Sequence, residues 1–233
     1  MGEDDRVKAQ AGGAAGMADQ RREQMLRAAL EVITERGYPD TRVTDVAERA
    51  GTSPALVIYY FKTRDQLLTE AVRYAEDAWY AAGARRMAAI ETAAGRLEEI
   101  IAMTCLPEED AEPGGSWLLW LDLWAQSARN PGVAAVRQKF DERWREIIRS
   151  QVLAGQEAGE FRPVPADDFA LTLSALLDGF AIQIALSDPS VDAGRAFQLS
   201  MRFASAQLGF DWGGIRRGRE PASQAPRESA PGA

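Results

Sequence analysis

Histidine is absent from all 233 residues, and cysteine occurs once, as Cys105. Without histidine the commonest general base is gone, and with it every Ser-His-Asp triad and Cys-His dyad. A single cysteine closes no internal disulfide, and with no histidine beside it no Cys/His transition-metal site can form, so no metal or cofactor is expected. There is no unbroken run of about 18 apolar residues, and the first residues lack the apolar core of a signal peptide. The expectation is a cytoplasmic protein without a membrane partner. Positive charge is also short: 27 Lys and Arg stand against 35 Asp and Glu, a net −8. That argues against generic polyanion binding but leaves room for a local patch. Walker loops, GxGxxG after a strand and GxSxG are missing as well. The acidic run Glu108-Glu109-Asp110 lies between Pro107 and Pro113 and reads as a solvated loop rather than a catalytic pair. An enzyme is disfavoured.

What the sequence does contain is helical periodicity. Residues 1–18 are charged, then Gly/Ala-rich, and residues 211–233 form a Gly/Pro/Ser/Arg tail; both are expected to be disordered. Between them Met25, Leu26, Ala29, Leu30 and Ile33 follow i, i+3/i+4 spacing up to a stop at Gly37. Short helices are predicted around Val46-Ala47 and over 54–61, a long one from Arg64 into the eighties, then 92–105, 116–129, 132–158, 166–187 and 192–208. No stretch alternates as a strand does. The fold class is all-α with about nine helices, divided into 19–63 and a larger 64–210.

The stretch "AGTSPALVIYYFKTRDQLL", residues 50–68, places two breaks around a very short helix. Gly51 can take the positive φ of a tight turn, small Ala47 allows close helix approach, and Ser53-Pro54 is a good N-cap followed by a good first helical residue. This is the construction of a helix-turn-helix, whose second helix presents its first residues to base edges in the major groove. Tyr59 and Tyr60 offer hydroxyls to phosphate, and Lys62 and Arg64 offer charge. A plain helical hairpin with core-covering tyrosines is the competing reading of the pattern.

From about residue 21 to 68 the sequence resembles the DNA-binding domain of the TetR family of bacterial transcriptional regulators. The resemblance rests on Glu35-Arg36-Gly37-Tyr38 and "VTDVAERAGTSPALVIYYFKTRDQLL". It implies that Thr44 and Thr52, Ser53, Pro54 and Ala55 face bases or adjoining backbone, and that Tyr59, Tyr60 and Arg64 hold phosphates. Ile58 departs from the tyrosine or histidine often found there. Arg42 stands where a capping threonine is common, so either Thr41 caps or Arg42 meets phosphate. Pro54 and Ala55 suit thymine methyls rather than bidentate readout. From Asp19 to Glu70 eight basic residues face nine acidic ones. Glu23, Glu31 and Glu35 are expected on the face of the first helix away from DNA, with weak non-specific affinity and steep salt dependence.

A single head reads few base pairs, so a homodimer on a near-palindromic double-stranded operator is expected. Its face is placed on the last two helices, at Leu173, Leu177, Phe180, Ile184, Phe197, Met201 and Leu208, where an internal core is an equally good reading of each residue. Trp117, Trp120, Leu121 and Trp124 share one helical face, and Phe140 and Trp144 are spaced i, i+4. They read either as core or as the wall of a ligand pocket with Asp122, Gln126 or Asp178 as its polar groups. "WLLWLDLWAQSARNP", "RWREII" and "LLDGF" resemble the C-terminal domain of the BetI-like group of the same family. That implies repression controlled by a small-molecule effector, in a group that includes choline responders. Cation–π attraction would suit such a ligand, though a flat aromatic or fatty one fits the same walls. The alternative function is a helical small-molecule-binding or carrier protein that no longer binds DNA.

Overall fold

The computed structural model describes residues 3–106 and 117–213. Among these there are nine helices and no strand: α1 (Glu3–Arg36), α2 (Val43–Arg49), α3 (Pro54–Phe61), α4 (Arg64–Met87), α5 (Ala93–Cys105), α6 (Trp117–Ser127), α7 (Pro131–Glu157), α8 (Ala166–Ala185) and α9 (Ala193–Leu208). The all-α expectation holds, with most helix ends within two residues of the punctuation that predicted them. Helix α1 differs: it begins at Glu3, so it runs through much of the 1–18 segment expected to be disordered. Alanine is the best helix former and no proline interrupts the hydrogen-bond ladder, which offsets the cost of Gly12, Gly13 and Gly16. Its first residues to enter the core are Met25 and Leu26. The expected 211–233 tail lies outside the described residues beyond position 213.

The helices divide into two units, and the division does not follow the 63/64 boundary. The first holds α1–α4, α6 and α7 as far as Ile147. Its core is built from Leu26, Leu30 and Ile33 of α1, Val46 of α2, Val57 and Phe61 of α3, Leu67 and Leu68 of α4, and Leu119 and Leu123 of α6. The three-helix head is therefore not a free-standing body. Helix α4 covers it on one side, and α6 contributes leucines to the same core.

The second unit holds α5, the rest of α7, α8 and α9. Helix α7 ends in a Schellman-type turn. Gly159 takes φ +72°, and the N–H groups of Glu160 and Phe161 both donate to the Gly155 carbonyl, at 2.8 and 3.1 Å. That turn drops Phe161 onto Gly155, where a Cβ would stand 2.1 Å from the ring. It also aims the Glu160 carboxylate at the start of α5, where it accepts from the Ala93 and Ala94 N–H groups, each at 3.0 Å. An anion at a helix N-terminus is favourable.

Helix α8 is long and apolar enough, by length and composition, to cross a membrane. In this fold Phe169, Ala170, Leu173, Leu177 and Ala181 of that helix are buried, and it packs on α5 and α9.

Candidate nucleic-acid interface and effector site

Helix α3 is short because both ends are capped by local chemistry. Ser53 Oγ accepts from the Leu56 N–H at 3.2 Å, with Pro54 at the first helical position. Ahead of it Gly51 sits at φ +61° with open space around it, so the glycine is required for its backbone angle rather than for room. At the other end Lys62 takes φ 63° and its ammonium donates to the Tyr59 carbonyl at 2.7 Å. Thr63 then caps α4 by accepting from Gln66 N–H at 3.1 Å. The result is a protruding segment in which Ser53, Pro54 and Ala55 are exposed and Thr52 is half-exposed. Thr44 and Arg42 are exposed beside it at the start of α2. Tyr59 projects with 69% of its surface free, whereas Tyr60 is half-buried and packs on the core of the head. The two rings meet edge to face at 5.7 Å.

Arg64 is placed otherwise than expected. Its guanidinium points inward, donating to the carbonyls of Thr41 at 2.7 Å and Pro39 at 2.9 Å, and to that of Tyr38, over whose ring it lies. A side chain that satisfies three loop carbonyls is a brace for the α1–α2 turn, not a free phosphate contact. The same turn settles the capping alternative: Thr41 is fully buried, with its hydroxyl on the Gly37 carbonyl at 2.8 Å, and Arg42 occupies the cap of α2 without a side-chain bond. The turn is held from its other side by α6. Asp122, expected as a pocket residue, accepts the Tyr38 N–H at 2.8 Å.

The acids of the head are not simply turned away from DNA. Glu31 and Glu35 both grip Arg49, at 2.9 and 2.7 Å, and the Arg49 hydrogen bond holds the Glu35 carboxyl below the usual carboxylate range. Arg36 pairs with Asp45 at 2.9 Å, and Arg22 with Glu70. Among the described residues no carboxylate pairs with Arg42 or Lys62. Arg21 is likewise exposed without a carboxylate partner, so three of the eight basic residues of the head are free to replace counterions without first giving up a carboxylate.

The tryptophans separate into two groups. Trp120 and Phe140 meet edge to face at 5.9 Å against the core of the first unit, which is packing. Trp117, Leu121 and Trp124 are half-buried on α6. Trp144 pairs instead with Trp79 of α4, at 5.6 Å, and Trp79 with Tyr80 at 5.1 Å. Beside them lies Glu76, 5% exposed, with Oε1 lacking any hydrogen-bond partner; burial pushes its carboxyl up to about 7. Sequence reasoning missed Glu76, Trp79 and Tyr80. The signal was there, since 76 and 80 are spaced i, i+4 and Trp-Tyr is adjacent, but "AEDAWY" carries no apolar stripe. Asp178 belongs to the second unit.

The dimer residues need a similar correction. Leu173, Leu177, Phe197, Met201 and Leu208 are all buried within the single chain, and buried groups have no surface left for a partner. Phe180 and Ile184 stay half-exposed, as do Leu176, Leu199 and Phe203.

Comparison with known proteins agrees with this architecture. Residues 25–71 match the family described as bacterial regulatory proteins, tetR family, and residues 93–209 that described as BetI-type transcriptional repressor, C-terminal. The HTH-type transcriptional regulator BetI of Burkholderia cenocepacia is 30% identical over 197 residues, spanning 84% of this chain and 98% of its own. The BetI of Burkholderia mallei is 31% identical over 186 residues, covering 79% and 92%. Among solved structures, a transcriptional regulator from Saccharomonospora viridis in complex with choline superposes with TM-score 0.73 at 28% identity, over 82% of this chain and 98% of that one. A TetR-family regulator from Rhodococcus sp. gives 0.72 at 25%, over 82% and 99%. The chain belongs to the TetR family of transcriptional regulators, as one of its BetI-type members.

Proposed function

We propose that this regulator is a homodimeric repressor, working in the cytoplasm, that a small organic cation releases from a near-palindromic operator. The observation that carries the reading is the continuity of α4. Its first residue, Arg64, braces the turn that orients α2. Glu76, Trp79 and Tyr80 stand on the same helix, up to roughly 24 Å further along at 1.5 Å per residue. A ligand that resets α4 at the aromatic end alters the brace at the other. A buried carboxylate flanked by three aromatic rings suits a cation, by charge and by cation–π attraction, and the choline complex of the Saccharomonospora relative supports that class. Trp117 and Trp124 remain the α6 candidates for its wall. Coupling of about 1–3 kcal/mol, a 5–150-fold effect, suffices for a switch.

In this reading Thr44, Thr52, Ser53, Pro54 and Ala55 meet bases or adjoining backbone, while Arg42, Tyr59 and Lys62 meet phosphates. The two heads of the dimer then fall about 34–36 Å apart. The face left for a partner on the second unit is the Leu176, Phe180 and Ile184 ridge of α8 with Leu199 and Phe203 of α9.

The test is selection of sheared DNA from the source genome on the purified protein. Enrichment of a few near-palindromic fragments, released by choline chloride, is the expected result. Thr44→Ala and Tyr59→Ala are each expected to weaken binding about tenfold, the order of one or two lost contacts. Absence of enrichment with a folded dimer would favour a carrier protein without DNA function.

A further inference from the structure

We propose that the cation site is already occupied by the chain itself: the Arg143 guanidinium holds the position of the effector's ammonium group, and binding exchanges one cation for the other. This rests on the reading of the effector as a small organic cation.

The Arg143 guanidinium is held by a ring face and a surface carboxylate rather than by the buried carboxylate. The Arg143 Cζ stands 4.0 Å from the centre of the Tyr80 ring. The four other cation–ring approaches among the described residues lie between 5.1 and 5.9 Å. Arg143 does not satisfy Glu76. Its Nη1 is 3.9 Å from Glu76 Oε2, beyond hydrogen-bond reach, and Oε1 has no partner at all. Its hydrogen bond goes instead to Asp77, an exposed carboxylate on the outer side of α4. Beyond the hydroxyl of Tyr80 on its own helix, the Glu76 carboxylate is thus met only from a distance, by a cation anchored at the surface.

Each part of that arrangement has a use in an exchange. A buried carboxylate with no cation nearby is costly, and the guanidinium reduces that cost. Asp77 gives the guanidinium a place to remain when it leaves the ring, so its displacement gives up only the π contact and a long-range attraction. The incoming cation meets the Tyr80 face, with Trp79 and Trp144 packed beside it. The resident cation lowers the apparent affinity by the fraction of time it occupies the site, which raises the effector concentration needed for a response.

The exchange also depends on pH. Glu76 attracts a cation only when ionised, and the groups that face it are Arg73, Asp77 and Tyr80 from α4 and Arg143 from α7, with Asp141 of α7 beyond Tyr80. Because burial raises its carboxyl to about 7, the neutral form gains as pH falls below that value. Effector affinity then drops, approaching about tenfold per unit.

Titration calorimetry of the full chain with tetramethylammonium chloride at constant ionic strength tests this. Arg143→Ala is expected to bind at least about fivefold more tightly than wild type, since the competitor is gone. Arg143→Gln, which keeps the stem without the charge, should do the same and guards against loss of packing. Glu76→Gln is expected to bind about tenfold more weakly and to lose the pH dependence between 6 and 8. Binding that is unchanged or weaker in both Arg143 variants, with wild type binding normally, would overturn the exchange and leave the cation reading intact. Failure of wild type and all variants to bind would overturn both, while operator selection would still judge the regulator reading separately. Binding by the Arg143 variants alone would support the exchange in its strongest form.

Discussion

Asp122→Ala is expected to weaken operator binding about tenfold or more and to blunt release by the effector. The α1–α2 turn that orients the reading head is clamped from two sides. Arg64 takes its carbonyls, and Asp122 of α6 takes its Tyr38 N–H at 2.8 Å. The carboxylate sits so close that a Cβ on Gly37, itself at φ +83°, would meet Asp122 Oδ2 at 3.0 Å. A hydrogen bond to a charged acceptor is worth roughly 1.5–3 kcal/mol, and the abandoned amide belongs to a residue that is otherwise buried. Losing it frees the turn, and with it the angle of α2 and α3. Asp122→Asn keeps an acceptor in place and should retain most of the affinity. Fluorescence anisotropy on a labelled operator, well below the melting temperature of each variant, reads the effect. Unchanged operator affinity in a less stable Asp122→Ala protein would show the contact to be structural only.

The second large effect lies in the other unit. Gly155→Ala is expected to lower the melting temperature by about 6–12 °C, on the basis of roughly 3 kcal/mol of overpacking. The added methyl would stand 2.1 Å from Phe161 Cδ2. The ring cannot step aside, because Phe161 is buried against Phe210 with centroids 5.3 Å apart. Nor can the backbone, since Glu160 and Phe161 both donate to the Gly155 carbonyl. Phe161→Leu should cost stability alone yet largely cancel the effect of Gly155→Ala in the double variant, because the two changes share one volume. Calorimetric melting of the four proteins of the cycle checks this, and simple additivity would disprove the steric account.

The reading head was legible in the sequence because its features are local. Gly51, Ser53 and Pro54 dictate a break, a cap and a start within four residues, and the exposed Tyr59 follows from the length of the helix they begin. Direction was not legible. Arg64 shows a charge in sequence, but whether it turns to phosphate or to the Tyr38, Pro39 and Thr41 carbonyls depends on a loop some 25 residues away. Apolar spacing has the same blind spot: Leu173 and Phe180 belong to one stripe of α8, yet one is buried within the chain and the other half-exposed, because core and interface share a period. Glu76 was hidden for a different reason. A glutamate between two alanines and an aspartate reads as solvent-facing, and only the approach of α7 carrying Arg143 and Trp144 makes it an interior anion.

The pairing of Arg22, Arg36 and Arg49 with surface carboxylates has a consequence for how this protein meets DNA. Ordinary duplex DNA holds a protein through counterions displaced by free cations, and with these three arginines paired the unpaired cations of the head are Arg21, Arg42 and Lys62 among the described residues. Brief encounters with unrelated sequence are the expected result, and occupancy of an operator then depends on the ratio between right and wrong sites rather than on raw grip.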